Sequence, residues 1–418
     1  MNSTGNVTAR ESPVAGNTEL TKPENRAFHP ALDGLRAIAF LLVFFYHEAG
    51  IPWRWAGVNM FFVLSGFLIT GILCDSRNDA FRARNFYARR ALRIFPLFYT
   101  IVLIFLLLYP ICHWQWSWYW LAWPLYIGNF LPYFSRSVAI DDSPLQLAAF
   151  GRLRLSAIPH LTLYISHFWS LCVEEQFYFV WPWIVFWVRS RKALLWICGT
   201  VVVAAPIARV LCDHIAPPWM VHVNLLERAT PFQLDSLLLG AFIALLVRAR
   251  PKLPIYTIGK ITGIVAGFVA FAVLTAGIVD AYPNWNVGYA YPQWEYTWGL
   301  TLINVLAASV MIIALQPSTW VHRILCVKPL RWIGRISYGA YVFHNIFHRV
   351  FFADIAILAD HVGFVAHHMI LIPALFGLAA TLLIAWVSFE YLESPFLNLK
   401  ERWTVRPAAS LATTGSRA

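Results

Sequence analysis

Three sets of ionisable residues lie inside or beside strongly apolar stretches of this sequence, where charge is costly unless it faces protein or water. Arg36 and His47 are eleven residues apart. On a helix, eleven steps of about 100° return to within roughly 20° of the start, so the two share one face at about 16 Å separation along the axis. Glu174 and Glu175 are adjacent, with side chains about 100° apart on a helix, so one of them reaches any given site. Their segment begins at His167 and is expected to enter the membrane at the level of His47, so that a histidine and a carboxylate meet at one depth, as proton transfer requires. Arg90 and Arg93, three apart, are neighbours on a helical face, a spacing suited to phosphate. Each set except the glutamates has a bland reading. Arg36 can be an anchor reaching for the interface, His47 a helix-packing hydrogen bond, and the arginine pair ordinary positive charge on an inner face.

The elements that carry these residues are membrane spans. The chain has 418 residues, 59% hydrophobic and 13% charged, with a mean hydropathy of +0.59. Soluble domains carry about 25% charged residues. Apolar runs long enough to cross a bilayer lie near 32–50, 57–74, 94–111, 168–188, 193–211, 231–248, 258–279, 297–315, 334–354 and 367–390. A further run near 116–131 is shorter, and the overlapping stretch from His113 to Pro124 holds five tryptophans, which favour the headgroup level. The expected fold is an all-α polytopic transmembrane bundle of about ten spans plus one interfacial or re-entrant helix. The expected division is a polar cytoplasmic tail over 1–29, the transmembrane domain over 30–398 and a second cytoplasmic tail over 399–418.

The formal charge of +11 raises nucleic acid as a partner, but the basic residues are sorted by loop instead. With both termini cytoplasmic, the inner segments hold 24 of the 32 Lys and Arg residues, the pattern of an integral protein of the cell membrane. No nucleic-acid partner is expected; the lipid bilayer is. Residues 1–29 lack the pattern of a cleaved signal peptide. The six cysteines are scattered without paired spacing and read as small buried hydrophobes. No HxxxH or HExxH pair sits in a depth-matched cluster, so no metal and no bound cofactor are expected.

From Leu32 to Phe396 the sequence resembles the acyltransferase 3 family of membrane acyltransferases, which modify bacterial surface glycans and some secondary metabolites. The opening Leu32-Asp33-Gly34-Leu35-Arg36 through His47 is similar to the family's most specific motif, and the segment from Gly57 to Leu68, with Asn59 and Ser65, to its second block. Asn59 stands where many members carry Asp, which leaves it a hydrogen-bonding role. Arg90 and Arg93 sit in a segment similar to the third block, and Phe168 to Pro182, with Ser170 and the glutamates, resembles the Trp-Ser-Leu block. The segment from Arg335 through Tyr338 to His344 resembles the late Ser-Tyr block, and Arg228 and Asp235, seven apart on one helical face, fall where a polar pair is expected. Some members carry an additional esterase-like domain; none is expected in this chain.

The resemblance implies transfer of an acyl group, commonly acetyl, from acyl-CoA to a hydroxyl of a carbohydrate or other envelope or secondary-metabolite acceptor. It gives His47 the part of base, Glu174 or Glu175 that of its orienting carboxylate, Arg90 and Arg93 the CoA phosphates, and Arg36 the pantetheine end or thioester oxygen. A route through an acyl-enzyme on His47 or Ser65 fits the same residue types. The rival reading is a polytopic transporter or flippase for a glycan or lipid, which inverted halves and matching broken helices would favour; neither is found.

Overall fold

The computed structural model describes residues 29–49, 54–108, 118–132, 152–154, 162–215, 225–250, 253–281, 297–346 and 371–404. The first three helices are α1 (Pro30–Ala49), α2 (Arg54–Asp75) and α3 (Arg82–Leu108). Two 3₁₀ segments follow, Trp118–Ala122 and Gly128–Phe130, so the aromatic stretch expected as one interfacial helix is a pair of tight turns. A two-stranded antiparallel ribbon, β1 (Arg152–Arg154) and β2 (Thr162–Tyr164), sets Leu153 opposite Leu163. It is a small addition to the all-helical plan.

The remaining helices are α4 (Trp169–Trp187), α5 (Arg191–Ile215), the single turn α6 (Leu225–Arg228), α7 (Leu234–Ala249), α8 (Ile255–Ala281), α9 (Trp298–Ala314), α10 (Trp320–Leu325) and α11 (Lys328–His344). The chain closes with α12 (Leu371–Ser388), a π-helical turn over Phe389–Glu393, α13 (Ser394–Asn398) and α14 (Lys400–Trp403).

A helix occupies each of the ten expected positions. Among the described residues, five are long and apolar enough to cross a membrane: Pro30–Glu48, Ala56–Asp75, Arg191–Ile215, Ile255–Ala272 and Ala374–Asn398. The others are shorter or carry more polar side chains. In α3 the helix starts at Arg82 rather than near 94, because hydropathy registers only the apolar part; the stretch with five arginines ahead of it is equally helical. Large apolar side chains are bare on the outer helices, among them Trp196 at 76% and Phe268 at 74% exposure. So much exposed apolar surface suits a hydrocarbon surround rather than water.

The middle of the bundle is α2, of which 72% of the crossing segment is buried, against 17% for α8. It packs most intimately on α7, and small residues allow it. A Cβ on Gly66 would lie 1.7 Å from the Leu237 carbonyl oxygen, and one on Gly240 would lie 2.0 Å from that of Val63. Backbones this close fit only glycine, the packing device of membrane helices. These contacts and the Arg248–Asp75 ion pair at 3.1 Å make α2 and α7 parallel. Helices α1 and α11 are parallel as well: the Asp33 carbonyl meets Gly334 near their starts, and His47 meets His344 near their ends. The bundle therefore has two chemically distinct ends.

Candidate active site

At the end where α1 and α11 finish, three imidazoles stand in a row. The ring of His47 is 5.1 Å from that of His344, which is 4.9 Å from that of His167. Their backbone partners set the tautomers, since a carbonyl can only accept. His47 Nδ1 donates to the Val43 carbonyl at 2.9 Å, which leaves the lone pair of the neutral ring on Nε2. His344 Nδ1 donates likewise to the Tyr341 carbonyl at 2.6 Å. His167 is the reverse: Nε2 donates to the Val342 carbonyl at 3.0 Å, and Nδ1 faces the Asn345 amide at 3.4 Å. Both of its nitrogens are thus engaged within the protein. The hydroxyls of Ser170 and Tyr341 are hydrogen-bonded to each other at 2.5 Å and both lie within reach of the His167 carbonyl, so that one donates to the carbonyl and the other to its neighbour's oxygen, bracing the start of α4 against α11.

The Nδ1 position of His47, where an orienting carboxylate was expected, holds the Val43 carbonyl one helical turn back. Glu174 lies deeper and accepts from Ser65 Oγ of α2 at 2.5 Å, with Arg90 and Arg36 near enough to act on its charge. Glu175 turns away from it, as adjacent helical residues must. One of its oxygens, Oε1, is buried without a hydrogen-bond partner among the described residues, and so is the hydroxyl of Tyr126, within electrostatic range of that glutamate. Tyr126 adopts φ 56°, a left-handed conformation costly for an aromatic residue, and stacks on Phe98 at 4.4 Å.

At the opposite end, Arg36 Nη1 donates to Asp33 one turn earlier at 3.0 Å. Arg90 lies over the Tyr178 ring at 4.8 Å. Arg93 is close enough to Arg36, Arg90 and Glu393 to feel their charges. Tyr338 of α11 donates to the Ile94 carbonyl at 2.8 Å, tying α11 to α3. Glu393 sits in the π-helical turn, its Oε1 3.1 Å from where a Cβ on Gly339 would be. Between the two ends, Glu174 is within electrostatic range of Tyr341, beside the histidines, and of Arg36 and Arg90, beside Arg93 and Glu393, so that polar groups recur along the bundle as a polar track.

The pairing of Arg228 with Asp235 is not found. Pro231 lies in a 3₁₀ turn, Thr230–Phe232, that separates α6 from α7, so the two residues share no helix and no face. Asp235 pairs instead with Arg209 of α5 at 2.7 Å, both side chains buried. The Arg209 guanidinium also donates to Thr301 Oγ1 at 2.7 Å and to the carbonyls of Thr297 and Phe232. Asp235 accepts from Asn304 at 3.0 Å, and Asn304 from Asn59 at 2.6 Å. Asn59 is therefore a buried member of this ionic network. Arg228 offers its backbone carbonyl to Asn129 at 3.1 Å.

Sequence reasoning assigned no role to His167, Tyr341, Arg209 or Glu393. An arginine within an apolar run was the available signal for Arg209. Glu393 fell just beyond the last span as drawn, and only the wide turn brings it to α11. Among the described residues, no group of three or more His, Cys, Asp or Glu is arranged to hold a metal ion.

The acyltransferase domain family Acyl_transf_3 matches residues 29–390. The peptidoglycan O-acetyltransferase OatA of Listeria monocytogenes is 29% identical over 392 residues, covering 89% of this chain and 56% of that protein. A putative peptidoglycan O-acetyltransferase of Bacillus subtilis, YrhL, is 28% identical over 77% of this chain and 49% of its own length. A putative O-acetyltransferase of Staphylococcus aureus is 26% identical over 90% of this chain and 58% of its own. The chain spans about half the length of these curated relatives. No solved structure matches it.

Proposed function

Since the chain belongs to the acyltransferase 3 family, we propose that it is a membrane O-acyltransferase that moves an acetyl group from acyl-CoA to a hydroxyl of an envelope carbohydrate. Peptidoglycan is the first acceptor to test, because two of the relatives are named for it. All three are named as acetyltransferases, which favours transfer over transport.

The observation that carries the reading is His47, with its proton held on Nδ1 by the Val43 carbonyl and its lone pair on Nε2 at one end of the polar track. In the reaction the acceptor hydroxyl loses its proton to Nε2 as its oxygen bonds to the acyl carbon. The carbon–sulfur bond of the thioester breaks, and the thiolate takes the proton that Nε2 received and leaves as the thiol, returning His47 to its neutral form. The Val43 carbonyl does for the tautomer what a carboxylate does in a triad. Arg90 and Arg93 take the donor's phosphates, with Arg36 next along the track toward Glu174. We take the chain to cross about ten times with both termini in the cytoplasm, an orientation supported by the sorting of basic residues, in which the arginines face the donor and the histidines the acceptor.

The test uses full-length protein in liposomes with labelled acetyl-CoA and peptidoglycan fragments. Label should move to the carbohydrate, and His47→Gln should slow it by about 10²- to 10⁴-fold, the usual cost of losing a general base. A helix-packing histidine would lose little on becoming Gln, because such contacts are worth about 0.6 kcal/mol. Wild-type turnover in His47→Gln would remove the base from the mechanism; absence of transfer by the wild type to any hydroxyl acceptor would remove the function.

A further inference from the structure

Where α3 begins, it and α14 flank an open cavity of about 620 Å³ lined by Arg84, Tyr87, Ala88, Ala91, Arg402 and Trp403. The α3 residues recur at three, four and seven, so they form one face of that helix. Arg93, nine residues on from Arg84, projects from the opposite side. The cavity is accordingly separate from the cluster of Arg36, Arg93 and Glu393.

Most arginines at this end already have partners. Arg36 has Asp33, Arg248 has Asp75, Arg77 has the Val188 carbonyl, Arg82 has the Arg77 carbonyl and the Phe186 ring, and Arg90 has the rings of Phe86 and Tyr178. Arg84 and Arg402 differ. Both are exposed, and among the described residues neither guanidinium has a carboxylate or hydrogen-bonded partner. Two like charges facing one cavity repel, and an anion between them turns that repulsion into attraction.

The aromatic wall is fixed beforehand. Tyr87 donates its hydroxyl to the Phe179 carbonyl at 2.9 Å and packs on Trp183 with ring centroids 6.2 Å apart. Trp403 is 56% exposed, so its ring keeps a large uncovered surface. Ala88 and Ala91 leave the floor open.

We propose that this cavity binds a phosphate ester, with the guanidiniums of Arg84 and Arg402 on the phosphate oxygens and the rings of Tyr87 and Trp403 against the adjoining organic group. Two planar forks suit an anion with several oxygens at tetrahedral angles, and the space exceeds what a lone carboxylate would fill. Such an ester has two sources at the end of a membrane bundle: the headgroup of an anionic phospholipid, or a soluble nucleotide.

The experiment compares the full-length protein with an Arg84→Gln/Arg402→Gln double variant and with an Arg250→Gln/Lys260→Gln control. The control removes equal charge from exposed positions at the same end. Both double changes alter exposed side chains, so folding is not at stake. Phosphatidylglycerol retained from mixed micelles is counted by native mass spectrometry, and adenosine 3′,5′-bisphosphate binding is measured by equilibrium dialysis. One of the two probes should bind the wild type saturably and the Arg84/Arg402 variant about tenfold or more weakly, as loss of charged hydrogen bonds implies. The control should bind as the wild type does. Binding of the phospholipid assigns the bilayer as source, and binding of the bisphosphate a soluble nucleotide. Wild-type affinity in the Arg84/Arg402 variant, an equal loss in the control, or no saturable binding of either probe to the wild type would overturn the proposal.

Discussion

At the scale of residues, the two glutamates make separable predictions. Glu174 is hydrogen-bonded to Ser65 and sits near Arg90 and Arg36, whereas Glu175 keeps one buried oxygen without a partner. Replacing Glu174 by Gln removes a charge that the arginines need for balance and should cut transfer by about tenfold or more, in line with the cost of charged hydrogen bonds. Glu175→Gln gives that buried position a neutral group and should leave stability equal or better. Activity and thermal unfolding of both variants decide the matter, and equal losses in the two would show that the local partners do not matter. Arg90→Ala and Arg93→Ala should each raise the KM for acyl-CoA by weakening phosphate contacts, with expression retained. An unchanged KM in both would return them to the general positive charge of that end. Much of this site was legible in the sequence, because ionisable residues in apolar runs announce themselves. The partners were not. Val43 contributes a backbone carbonyl, for which side-chain spacing carries no signal.

At the scale of elements, the boundaries of α2 and α5 fall within three or four residues of the apolar runs, since these helices are apolar throughout. The start of α3 and the separation of Arg228 from Asp235 were not legible. The first is a polar helix that hydropathy ignores. The second turns on Pro231, which opens the run drawn from 231 but lies in the 3₁₀ turn that separates Arg228 from the helix carrying Asp235. The consequence is the buried Arg209–Asp235 pair, joining α5 to α7 and, through Asn304 and Asn59, to α9 and α2. Arg209→Leu strands a buried carboxylate and should destabilise the bundle by about 3–5 kcal/mol, whereas Arg209→Leu with Asp235→Leu should recover much of that loss. Thermal unfolding in detergent reads both. A double variant no more stable than the single would mean that the pair is not what holds these helices.

At the scale of the molecule, the polar track joins two unlike ends, and sidedness gives it meaning. If the arginine end faces the cytoplasm, single cysteines placed between Ser76 and Arg93 in a cysteine-free background should resist an impermeant maleimide in intact cells. Those placed between Asp141 and His160, a segment of which 152–154 are described, should react. Strong labelling of the first set would reverse the orientation and with it the donor and acceptor sides. Parallel packing of α1 on α11 and of α2 on α7 brings like ends together, His47 beside His344 at one end of the bundle and Asp75 beside Arg248 at the other.

The wide turn at Phe389–Glu393 bears on how this chain tolerates changes in length. Removing a single residue from a helix ordinarily rotates everything after it by about 100° and scrambles every later contact. A π-helical turn already holds one residue more than an α-helical turn, so deletion of Leu392 would let the segment relax to regular helix with α12 and α13 each keeping its present neighbours. What would shift is the aim of the glutamate beside Gly339 and Arg93. At this one place, shortening the chain is a gentler edit than substituting into it, and it would disarm a carboxylate while sparing the scaffold around it.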